Sequence, residues 1–105
     1  MNSNVVNLYP SPTSGATSAT LQTIGSSAAN LTNSATFNDR TKYIALDVQD
    51  NPVRVRFDGT DPTTSVGHLL QKNQSYTFSV ATAKVARFIR DGSSDGKIFA
   101  SEFTQ

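Results

Sequence analysis

The sequence predicts an all-β protein: a small β-sandwich or jelly-roll-like barrel with an extended N-terminal arm. Three observations point there. Apolar residues alternate at a period of two in several short runs, and turn-forming clusters separate those runs at regular intervals. No segment carries the pattern of a long amphipathic helix. With 105 residues the chain makes one small domain, and a chain this short leaves much of its surface exposed. Six Phe and three Tyr supply the anchors of a modest core.

Taken in order, Ala16 to Ile24 alternates loosely and reads as a first strand. Tyr43 to Val48 places Ile44, Leu46 and Val48 on one face. Gln49-Asp50-Asn51-Pro52 is a turn signal of hairpin length, after which Val53, Val55 and Phe57 alternate with Arg54, Arg56 and Asp58. Leu69 and Leu70 re-enter the core behind Val66-Gly67. Ser75 to Val80 turns Tyr76, Phe78 and Val80 inward, and the Ala-rich stretch Ala81 to Ala86 adds a helical turn. Val85 to Arg90 and Lys97 to Phe103 form a last hairpin around Asp91-Gly92-Ser93-Ser94-Asp95-Gly96.

Charge divides the chain more sharply than hydropathy. All nine Lys and Arg and all eight Asp and Glu lie between Asp39 and Glu102. Residues 1–38 therefore read as an uncharged Ser/Thr/Asn-rich arm with room for one strand, and residues 39–105 as the β domain. The arm's composition admits a flexible lead or an ordered extended segment. Disordered segments are usually rich in charge, whereas an uncharged chain suits strand addition against another protein. Val5, Val6, Leu8, Tyr9, Leu21 and Ile24 would be its contact points, with Leu31 beyond them.

A net charge of +1 supplies no pull toward nucleic acid or an anionic membrane, so neither is expected as a partner. The absence of Cys removes disulfides, thiolate metal sites and a Cys nucleophile. No run approaches the ~20 apolar residues of a membrane span. Met1 to Pro10 lacks the pattern of a secretory leader, so a soluble protein made in the cytoplasm is expected. No cofactor and no enzymatic activity are expected either. His68 is the sole histidine, and no G-x-S-x-G pattern accompanies it.

One rival pattern lies near the C-terminus. Asp91, Ser93, Asp95, Gly96 and Glu102 fall at positions one, three, five, six and twelve of a calcium-binding EF-hand loop. That loop needs a helix on each side, and the flanking residues read as strands, so the hairpin is the preferred reading. Arg54 and Arg56 share a strand face, and Arg87 and Arg90 lie close together in another. Asp47, Asp58 and Asp91 would neutralise them as cross-strand ion pairs.

The stretch from Pro52 to Leu70, P-V-R-V-R-F-D-G-T-D-P-T-T-S-V-G-H-L-L, resembles a pattern in small structural proteins of tailed phages and prophages. There a strand with alternating Arg runs into a G-T-D-P turn, then a V-G-x-L-L segment. The resemblance extends over Thr36 to Phe103 and includes the strand Lys42 to Gln49. It implies a virion role, a capsid decoration or cement protein that stabilises the shell by bridging capsid subunits. It also implies a major capsid protein or other virion protein as partner, and a homo-oligomer, with a trimer favoured. The location implied is the virion, on the capsid surface, after synthesis in the host cytoplasm. Arg54, Arg56 and His68 join the arm residues as interface candidates. The alternative class is a tail- or fibre-associated adhesion module that binds a host glycan through loops.

Overall fold

The computed structural model describes residues 16–32, 37 and 40–103. Among these residues, seven strands and one short helix succeed one another: β1 (Ala16–Ile24), β2 (Tyr43–Gln49), β3 (Val53–Arg56), β4 (His68–Leu70), β5 (Ser75–Ser79), α1 (Val80–Val85), β6 (Arg87–Arg90) and β7 (Gly96–Phe103). They form two antiparallel sheets, one ordered β1-β7-β2-β5 and the other β4-β3-β6. The all-β class is what the alternating runs predict.

The core gathers the inward residues of both sheets. Ile24 from β1, Ile44, Leu46 and Val48 from β2, and Ile98 and Ala100 from β7 come from the larger sheet. Val53 and Val55 from β3, Leu70 from β4 and Phe88 from β6 come from the smaller one. Ala83 of α1, Ala86 just after it and Leu31 complete the cluster. Burying a side chain such as Leu46 or Phe88 contributes about 1.5–3 kcal/mol each.

Neither expected hairpin forms. β2 pairs with β5 and β7, whereas β3 pairs with β4 and β6, so Gln49 to Pro52 carries the chain from one sheet to the other. Pro52 has no N–H to give a ladder, and Asp50 sits at φ 69° under an Asn51 N–H bond to the Gln49 carbonyl. The segment between Arg90 and Gly96 makes the same crossing in the opposite direction. A hairpin would keep both runs in one sheet, whereas the crossing lets residues of two sheets contribute to one core.

The two crossings lie against each other. The Asp91 N–H donates to the Pro52 carbonyl at 3.2 Å, and the Asn51 side-chain amide donates to the Asp95 carbonyl at 2.9 Å. Lys97 reaches Asp50 at 3.4 Å across the same corner. Gly96 is buried here, and a Cβ on it would stand 2.5 Å from the Asn51 carbonyl oxygen and 2.8 Å from Val53 Cγ1. Only a residue without a side chain lets the backbones approach this closely.

Residues 16–32, from the uncharged part of the chain, are built into the domain. β1 pairs with β7 from Ala16 opposite Phe103 to Ile24 opposite Gly96. Beyond β1, Ala29 exchanges two backbone hydrogen bonds with Phe88, extending the smaller sheet past β6. Ile24 is only 1% exposed and Leu31 2%, so Ile24 is a core residue and not the contact point expected of it. Val5, Val6, Leu8 and Tyr9 lie outside the described residues.

Two smaller expectations also change. The helix begins at Val80, where Ser79 caps it by accepting from the Thr82 N–H, so Val80 leaves the strand and β6 starts only at Arg87. In β4 the alternation allows one of the paired leucines inside: Leu70 is buried and Leu69 is exposed. Gly96→Ala should cost about 1–3 kcal/mol through forced overpacking, read as a lower urea midpoint at unchanged slope.

Candidate functional site

The loop between β3 and β4 forms a shaped surface, and arginines hold it. Val53 and Val55 occupy the inner face of β3, so Arg54 and Arg56 point outward. Arg54 donates through Nε to Asp91 at 2.8 Å and through Nη1 to the Gly67 carbonyl at 3.1 Å. Arg87, opposite Arg56 in the register, donates to Asp61 at 2.8 Å, to the Asn30 side-chain oxygen at 2.7 Å and to the Ala28 carbonyl at 3.3 Å. One guanidinium therefore ties β6, the 28–30 segment and the loop together. The Gly92 N–H adds a bond to the Thr64 carbonyl. Ile89 shares this outer face with Arg54 and is nonetheless buried, as is Pro62 in the loop.

Within the loop, Thr63 and Val66 exchange two backbone hydrogen bonds around Thr64 and Ser65. Gly67 comes next at φ 145°, and a Cβ there would meet Arg54 Cβ and Pro62 Cβ at 3.2 Å. Both the dihedral and the close approach select glycine.

Arg56 bonds Asp58 through both Nε and Nη2. Asp58 Oδ1 also accepts from the Thr60 N–H at 3.2 Å. The hydrogen bonds from Arg56 and then Thr60 hold the Asp58 carboxyl at about 2, below its ordinary 3.8, and raise the Arg56 guanidinium in turn. Arg56, Phe57, Asp58, Val66, Gly67 and His68 line an open cleft of ≈440 Å³. Its aromatic wall is fixed from behind: the Phe57 ring lies 5.3 Å from Phe78 and 5.7 Å from His68.

No protein-family model matches this chain, and neither does any curated protein or solved structure.

Of the interface candidates, Arg56 and His68 come together in the cleft, and Arg54 lies behind it as a fastener of the loop. The acids expected to neutralise the arginines are only partly those that do. Asp47 instead accepts from the Ser75 hydroxyl, while Asp61 and Asp95 hold Arg87 and Arg90. No sequence pattern marks Asp61 for Arg87, because the two are 26 positions apart and meet only once the loop folds back.

The residues of the EF-hand pattern are spread out. Asp91 faces Arg54, Asp95 faces Arg90, and Glu102 accepts from the Thr41 hydroxyl at 2.9 Å. β7 is extended from Gly96 to Phe103, and at about 3.3 Å per residue it carries Glu102 roughly 20 Å from the Asp95 end. Those carboxylates cannot share one ion. Among the described residues, no three His, Cys, Asp or Glu gather as a metal site would require.

A second surface is the outer side of the larger sheet. Leu21 and Phe99 stand directly opposite each other on β1 and β7, 53% and 39% exposed. Tyr43 and Phe103 stack at 5.6 Å farther along the same face. Among the described strands β1 and β5 are the two edges of this sheet, and Ala16–Ile24 contains no charge, Pro or Gly.

Arg87→Ala should free the loop from the 28–30 segment, costing about 1–3 kcal/mol, with faster amide exchange at Ala29 and across 58–66. The Asp58 carboxylate should titrate near pH 2 and move up toward 3.8 in Arg56→Gln, checked by the carboxyl carbon shift. A carboxyl depressed by folding stabilises above its ordinary value, and that contribution is lost as pH falls through about 2.

Proposed function

We propose that this chain is a structural protein of a tailed-phage particle, a capsid decoration or cement protein that stabilises the shell by bridging capsid subunits. The two sheets are read as the halves of a small β-sandwich, and any residues ahead of β1 that reach the shell as its arm. The observation that carries this reading is β1. A nine-residue edge strand usually bears a Lys, a Pro or an inward charge that blocks further pairing, and this one bears none. Fifteen further uncharged residues precede it. Among the described residues no second strand pairs with β1, and an edge like this beside an apolar Leu21/Phe99 face suits strand addition, where backbone hydrogen bonds form without desolvating charge.

The Pro52–Leu70 resemblance supports the same reading. Its G-T-D-P turn is the loop that Arg54 and Arg87 fasten, so the motif is explained by folding and leaves β1 for docking. The partner is then the major capsid protein or another virion protein, and self-association as a trimer would present several edges to one shell. The place of action is the capsid surface.

Electron microscopy of particles carrying a tagged copy tests this. Added density on the capsid surface is expected, and density confined to neck or tail would overturn the decoration role. Leu21→Lys puts a charge on the exposed face and should remove the protein from shells while leaving its thermal unfolding within about 0.5 kcal/mol.

A further inference from the structure

We propose that the cleft between Asp58 and His68 is a binding site for a neutral saccharide. The inference is independent of the particle assignment and rests on the cleft's own chemistry.

The lining presents three kinds of surface in one place. Phe57 and His68 offer ring surface and Val66 an exposed branched side chain, 54% accessible. Arg56 and Asp58 offer donors and acceptors on the same wall. Gly67 lines the cleft with backbone alone, and the space its Cβ would take is filled by Arg54, Pro62 and the Val55 carbonyl. A sugar ring has an apolar C–H face and a rim of hydroxyls that each donate and accept. That combination matches rings and an aliphatic side chain beside a paired donor and acceptor.

Charge decides against the other small ligands. Arg56 and Asp58 compensate each other's charge through two hydrogen bonds, so an anion meets no uncompensated cation and stands beside a repelling carboxylate. A cation meets the same compensation, with the guanidinium repelling it from the carboxylate. A neutral polyol meets neither repulsion, and the outer lone pairs of Asp58 and the remaining N–H groups of Arg56 stay available to it. The cleft is also held in shape before any ligand arrives. Phe78 backs Phe57, Arg54 fixes the Gly67 carbonyl, and the Thr63–Val66 bridge places Val66. A preformed wall loses little ordering entropy on binding.

The test is a titration of the ¹⁵N-labelled full chain, monitored by amide shifts. Methyl glucoside, methyl galactoside and N-acetylglucosamine are the probes, with inorganic phosphate as the charged control. At least one saccharide should give saturable shifts confined to residues 56–58 and 66–68. Asp58→Asn should weaken that saccharide by about tenfold while the remaining spectrum stays unchanged. Saturable shifts at these residues from phosphate alone would overturn the proposal in favour of an anion site. The absence of saturable shifts with all three saccharides would overturn it as well.

Discussion

The close approach at Gly96 is the constraint on which the rest of the molecule depends. Two of the four sheet crossings among the described residues pass this corner, Asp50 to Pro52 going out and Asp91 to Asp95 coming back. With the Asn51 carbonyl 2.5 Å from where a Cβ would be, the crossings can stack only because residue 96 has none. Stacked, they set Ile44, Leu46, Val48 and Ile98 against Val53, Val55 and Phe88 in one core. A side chain at this corner would push the two sheets apart at their shared end.

The surface features depend on that corner. Once β3 and β6 face inward with Val55 and Phe88, their outward positions fall to Arg54, Arg56 and Arg87. Exposed ion pairs of this kind contribute only about 0–1 kcal/mol each, so their stabilising effect is small. Their positional effect is larger. Arg54 and Arg87 fix where the loop lies, and the loop in turn places Val66, Gly67 and His68 opposite Asp58. In the larger sheet β7 lies between β1 and β2, which leaves β1 at one edge and β5 at the other among the described strands.

Much of this is legible in the sequence. The period-two runs at Tyr43–Val48 and Val53–Val55 mark the strands and their inward faces, and the looser alternation of Ala16–Ile24 marks a strand with the bounds observed. The pairing of strands is not legible. Gln49–Pro52 and Asp91–Gly96 have hairpin length and turn residues, and those signals fix a change of direction without fixing which strand becomes the neighbour. Sheet membership is decided by burial of two apolar faces against each other, a non-local effect. A boundary at residue 38 rests on charge, which tracks solvent contact only loosely. Ile24 and Leu31 are apolar residues in an uncharged stretch, and they are buried with the core. In the cleft, Arg56 and His68 are legible as candidates. Phe57 and Val66 are not, since an aromatic ring beside a strand end and a valine in a turn read as ordinary core residues.

Cross-strand proton contacts in solution test the crossed-sheet arrangement most directly. Contacts between Asp47 and Phe99, Leu21 and Phe99, and Val55 and Phe88 are predicted, because these residues stand opposite each other in the two sheets. A ladder of contacts joining Arg87–Arg90 to Gly96–Phe103 across the 91–95 turn would contradict it, since that ladder requires β6 and β7 to share one sheet.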